Sequence, residues 1–176
     1  MRFFKWLLLG TITLLVGGWV CRGPLFRSIV RYHVVGERAA IKEYGAPGSV
    51  AAKVDGIIQA ALDTTADRLH FSTGRVTSDP RELVPGSAAN CIGYAALFAA
   101  LVEEDLVRAE LADRYAVEQV VSKLHIGSWN VHSLFDDPFW KDHDIVRITN
   151  KATGTTILID PVLYDVAGID RVQGGP

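Results

Sequence analysis

The sequence predicts an α+β domain in which a central buried helix packs on an antiparallel sheet, preceded by an N-terminal transmembrane helix. Three observations lead there. Residues 6–20, WLLLGTITLLVGGWV, carry no charge. From Cys91 to Val102 the residues are apolar on nearly every side of a helix. Beyond residue 114 the period changes, and YAVEQVVSKLHI, HDIVRI and TTILID are rich in the β-branched residues that favour strands. Helices followed by strands, rather than alternating with them, is the α+β order.

The N-terminal segment divides the chain into an anchor at 1–24, a juxtamembrane helix and linker at 25–48, and a folded domain at 49–176. Arg2 and Lys5 precede the uncharged stretch, and with Phe3 and Phe4 it reaches about 18 residues, the short end of a spanning helix. A cleaved signal peptide competes, but GGWVCRG lacks the small-x-small residues that a cleavage site needs, and Trp19 and Val20 before Cys21 suit lipid attachment poorly. Arg22, Arg27 and Arg31 balance the charges on the other side, so orientation rests on the short leader, which favours a membrane-anchored, extracytoplasmic domain.

At 176 residues and 49% hydrophobic content, the chain can build one domain with a proper core. Its 18 basic and 20 acidic residues form no long single-sign block, which excludes a nucleic-acid partner on electrostatic grounds. Sixteen aromatic residues (four Trp, five Tyr, seven Phe) argue against disorder.

Residues 25–44 place Leu25, Ile29, Tyr32 and Ala39 at helical spacing, and GAPGS at 45–49 ends that helix. Ser49 is a possible cap for a second helix over about 50–69. The Gly, Pro and Ser of the stretch up to Asn90 mark a long connecting loop. His33, His70 and Arg75 in these regions read as solvated or packing side chains.

The helix that opens at Cys91 is the most informative element. Asn90 or Ser87 can cap it, which leaves Cys91 in the first turn, facing unpaired N–H groups and the positive end of the helix dipole. Such a setting favours thiolate over thiol, whereas the same residue two turns later would only pack. A cysteine is also a small hydrophobe, so packing stands as the plain alternative. Cys21 is too far toward the N-terminus for an internal disulfide to be expected.

The strands add a second group. HDIVRI and TTILID are joined by TNKATG, and the loop chosen decides what faces what. With NKAT as the loop, His143 lies directly opposite Asp160. With KATG the two are diagonal neighbours on one face, within reach of each other. A five-residue loop would put them on opposite faces.

A cysteine opening a hydrophobic helix (NCIGYAALFAAL), a strand headed by histidine (DHDIVRI) and a strand ending in Asp-Pro (ILIDP) resemble, over about residues 88–165, the transglutaminase-like branch of the papain-like fold. The resemblance implies that Cys91 is the nucleophile, His143 the base and Asp160 the residue that orients it. In such a triad the thiolate attacks an acyl carbon, the imidazole moves the proton and a backbone N–H at the helix start receives the oxyanion. The expected activity is acyl transfer or hydrolysis on a peptide amide or ester, the partner a peptide or protein substrate or cell-envelope component, with no cofactor. A catalytically inactive binding or interaction module of the same fold is the alternative.

Other histidines and acids lie nearby in the sequence. His132, Asp136, Asp137, Asp142, His143 and Asp144 crowd VHSLFDDPFWKDHD, but their spacing fits neither a calcium loop nor a paired-histidine zinc helix, so no metal is expected. Asp136 and Asp137 read as solvated loop charges. His125 and His132 are weaker candidates for the base, because no Asp-Pro strand follows them at hairpin distance. Phe135, Phe139 and Trp140 either pack or line a cleft.

Overall fold

The computed structural model describes residue 11 and residues 16–38, 53–137 and 140–175. Ser49 and Phe139 lie outside the described residues, as does most of the expected anchor. The fold is α+β with an antiparallel sheet, but the transmembrane helix assigned to it from sequence is not found. Among the described residues no helix is long and apolar enough to cross a membrane.

The region expected to be a juxtamembrane helix is instead a helix followed by a strand. Helix α1 (Arg22–Ile29) is short, and β1 (Val30–Glu37) follows it directly. Tyr32 fits a helical spacing with Leu25 and Ile29 and the twofold period of a strand with Val30 and Val34, and the β-branched and aromatic character of the second set tips the choice once a partner strand is present. Arg22 donates to the carbonyl of Ala167, and Arg27 sits 3.7 Å from Asp170, so α1 is fastened to the C-terminal part of the domain.

Helix α2 (Val54–Arg68) leads into β2 (Leu69–Phe71), which pairs in parallel with β3 (Ser87–Ala89). The stretch expected as a plain loop thus carries two short strands and a 3-10 turn at Pro80–Glu82. Helix α3 (Cys91–Arg108) follows, then β4 (Tyr115–Ile126), the short β5 (Trp129–Asn130), β6 (His143–Asn150), β7 (Thr156–Ile159) and helix α4 (Pro161–Ala167). The sheet order is β1-β4-β6-β7, with β5 paired to β4 and every pairing antiparallel. The C-terminal tail bonds to both edge strands, Val172 to Leu158 on β7 and Gln173 and Gly175 to Tyr32 on β1. Edge groups that would otherwise invite a foreign strand are thereby paired.

Helix α3 is the hub. Tyr94, Leu97, Phe98 and Val102 are fully buried among residues of α2, the sheet and α4. Each large apolar side chain so enclosed contributes about 1.5–3 kcal/mol. Near its start Gly93 is closely packed: a Cβ there would lie 3.1 Å from that of Ala89 and 3.3 Å from the Thr77 carbonyl oxygen, so a neighbour would have to give. At the far end of the β6–β7 hairpin, Gly154 has φ +70, and Asn150 Oδ1 accepts from the N–H groups of Ala152 and Thr153. The loop is therefore Lys151–Gly154, with Val146 opposite Ile159 in the strands. This register makes His143 and Asp160 diagonal neighbours on one face.

Candidate active site

Cys91 is the first residue of α3. Asn90 caps the helix with its side-chain oxygen, which accepts from Ile92 N–H at 3.1 Å and Gly93 N–H at 3.2 Å. The Cys91 N–H is the first-turn amide that this cap does not engage. Both cysteines are free thiols, Cys21 exposed and Cys91 buried.

His143 heads β6, and its Nε2 lies 2.8 Å from Asp160 Oδ2. Its other side-chain hydrogen-bond partner is Cys91. With Nε2 turned to the carboxylate, Nδ1 is the nitrogen left for the thiol. Asp160, placed at the end of β7, is also the cap of α4, and its Oδ1 accepts from Leu163 N–H at 3.1 Å. Tyr32 on β1 donates its hydroxyl to Asp160 Oδ2 at 2.7 Å. A single buried carboxylate thus meets an imidazole, a phenol and a helix start.

These contacts set the charges. Burial disfavours the imidazolium of His143, but the negative Asp160, its hydrogen bond and the Cys91 contact outweigh that and hold the His143 pKa well above 6.5. Burial likewise disfavours ionised Asp160, yet His143, Tyr32 and the Leu163 N–H keep its pKa below the usual aspartate value. Burial and the adjacent carboxylate raise the Tyr32 pKa, so the phenol stays protonated.

The two shifts act on stability in opposite pH directions. A raised His143 pKa contributes stability that is complete below about pH 6.5 and is lost as pH rises through the native value. A depressed Asp160 pKa contributes stability that is complete above about pH 3.9 and is lost as pH falls through the native value. The pair therefore supports the fold most between these limits. Chemical-denaturation midpoints should show wild-type stability declining from about pH 6.5 upward, a decline that His143→Gln lacks.

A second polar network reaches the first turn of α3. Arg38, the residue after β1, grips the fully buried Asp144 through Nε and Nη2, both at 2.8 Å. Gln119 donates to Asp144 at 2.8 Å and to the Ile92 carbonyl at 3.2 Å, which ties this network to the first turn of α3. The Asp144 hydrogen bond chiefly raises the Arg38 pKa.

Cys91, His143 and Asp160 share the lining of one cavity of about 450 Å³. Phe26, Phe71, Leu124, Phe135, Trp140 and Leu163 supply apolar walls, and the Phe135 and Trp140 rings lie 5.5 Å apart. Phe135 and Trp140, weighed from sequence between packing and a cleft wall, thus face the cavity. His132 and Asp142 line it too. His33 and His125 form an edge-to-face pair with centroids 4.1 Å apart and do not line it, and His70 is exposed on β2. Among the described residues, no group of three or more His, Cys, Asp or Glu is placed to hold a metal ion.

Sequence reasoning missed Tyr32, Arg38 and Gln119. The first two were read as parts of a helix, and Gln119 as one residue of a strand. Comparison with protein-family models, curated proteins and solved structures finds no match for the chain.

Proposed function

We propose that the chain is a transglutaminase-like thiol enzyme that uses Cys91, His143 and Asp160 for acyl transfer or hydrolysis on a peptide amide or ester. The observation that carries this reading is the continuous line from the Cys91 thiol through His143 to Asp160 at the wall of one apolar cavity. The order along the chain supports it too: cysteine at a helix start, histidine at a strand start, aspartate at the end of the next strand.

In this mechanism His143, whose raised pKa favours the imidazolium, already carries the thiol proton, and the sulfur electron pair forms a bond to the acyl carbon. The carbonyl π pair moves onto oxygen, where the Cys91 N–H can receive it. When the pair returns, the bond to the leaving amine or alcohol breaks and His143 delivers the proton to it, leaving a thioester on Cys91. Water or an amine then attacks the thioester as His143 removes its proton. The second collapse frees the product and restores the thiol. Asp160 keeps the ring in the tautomer and orientation these transfers need, and stabilises the imidazolium formed in each. Arg38 adds positive charge near the sulfur.

The exposed Cys21 supplies an internal control. With limiting iodoacetamide at pH 7, peptide mapping of the folded chain should find Cys91 alkylated faster than Cys21, despite its burial. Alkylation of Cys91 only after unfolding would refute the enzyme reading.

A further inference from the structure

The polar groups around the Cys91 cavity are engaged with one another rather than with the space they surround. Tyr32 donates to Asp160, which also accepts from His143 and the Leu163 N–H. His143 is held between Asp160 and Cys91. His132 Nδ1 meets the Trp140 carbonyl at 2.6 Å, and its Nε2 is buried out of reach of the space. The surface that faces the cavity is therefore almost wholly apolar.

Its apolar side chains are in the opposite condition. Phe71, Phe135 and Trp140 line the cavity yet remain 36%, 40% and 40% exposed, and Val166 is 69% exposed. Phe71 comes from β2, Phe135 and Trp140 from the segment before β6, and Val166 from α4. Three separate parts of the chain thus bring large apolar side chains to one place without burying them. An apolar residue exposed alone is ordinary, whereas a converging set that walls a concave space marks a ligand site. The volume, about 450 Å³, is in the range of cavities that take small organic molecules.

The walls restrict what can enter. An amide or hydroxyl moving into this space gives up water and finds no partner, which is unfavourable, while each CH₂ that enters leaves water for an apolar surface. Cys91 lines the same space, so an acyl group bonded to its sulfur lies against these walls.

We propose that the acyl group Cys91 accepts is an unsubstituted hydrocarbon chain, delivered as an ester, and that the cavity is its binding pocket. This rests on the acyl-transfer reading above and takes its ester branch. The Cys91 sulfur forms the bond to the acyl carbon, the bond from that carbon to the ester oxygen breaks, and the alcohol departs with the proton that His143 held. Water or an amine then releases the chain as an acid or amide and returns a proton to His143.

Two readouts test it. In the first, p-nitrophenyl acetate, butyrate, hexanoate and octanoate, each below its aggregation limit, are compared as acylating agents of Cys91 in the full chain, with Cys21 followed in the same peptide maps. The Cys91 rate constant should rise about fourfold for each CH₂ the cavity takes in, the equivalent of about 0.8 kcal/mol, while the exposed Cys21 shows no such trend. The 5-methylhexanoyl ester should outpace the 4-carbamoylbutanoyl ester, which has nearly the same shape, by about tenfold or more. In the double variant Phe135→Gln, Trp140→Gln, the octanoyl-to-acetyl ratio should fall toward one; should that variant fold poorly, the wild-type series still decides. In the second readout, calorimetric titration of Cys91→Ala should detect binding of octanamide and none of acetamide.

Rates independent of chain length, or a length trend shared by Cys21, would overturn this inference and leave acyl transfer standing. If no ester acylates Cys91, the acyl-transfer reading fails, and the calorimetry alone decides. Binding of octanamide keeps the cavity as a hydrocarbon site, and its absence removes it.

Discussion

His143→Ala lowers the rate at which an activated ester acylates Cys91 by about 10²–10⁴-fold, the range a well-placed general base contributes. His143 is hydrogen-bonded to Cys91 and to Asp160, so its removal takes away both the proton acceptor for the thiol and the donor to the leaving group. The imidazole charge is also lost from beside the sulfur. Cys21, exposed and remote in sequence, should acylate at the same slow rate in both proteins. The contrast between the two thiols in one chain separates loss of the base from a general change in folding. A His143→Ala chain that acylates Cys91 as fast as wild type would show that the imidazole does no proton work.

Asp160→Ala destabilises the fold by about 3–5 kcal/mol, the loss expected when one member of a buried, hydrogen-bonded charge pair is removed. The carboxylate is 3% exposed and accepts from His143, Tyr32 and the N–H of Leu163. Alanine would strand all three donors and uncap α4, a cap alone being worth about 1 kcal/mol. Asp160→Asn keeps an oxygen for the cap and most of the volume, so it should cost less. Tyr32→Phe removes one neutral hydroxyl and should cost about 1 kcal/mol. Urea midpoints for the three variants should fall in that order of severity. Equal, small losses would mean that Asp160 is not the buried hub described above.

The sequence made some of this readable and hid the rest for definite reasons. Helix α3 and strands β4, β6 and β7 announce themselves because each run has a single dominant period and strongly biased composition. The alternative hairpin loops could be enumerated, but not resolved, until Asn150 and Gly154 showed where the turn closes. Strand β1 was misread because Tyr32 fits a helical spacing with Leu25 and Ile29 and a twofold period with Val30 and Val34, and only pairing with β4 decides between them. Tyr32 meets a carboxylate 128 residues away, and Arg38 one that is 106 residues away, so no local spacing could reveal either contact. His132 was visible as a histidine near the site, yet its contact with the Trp140 carbonyl is something no linear pattern encodes. The uncharged stretch at 6–20 suggested a spanning helix by hydropathy alone, and the described fold contains none.

The central claim is that Cys91 forms a covalent acyl intermediate with help from His143. The measurement that tests it most directly is the intact mass of the chain after brief exposure to a p-nitrophenyl ester and acid quenching, with the modified residue located by peptide mapping. One acyl group per chain on Cys91, formed in a burst, absent from Cys91→Ala and removed on further incubation in buffer or on adding an amine under native conditions, is the predicted result. Acylation spread over lysines and Cys21, with Cys91 untouched in the folded chain, would contradict it.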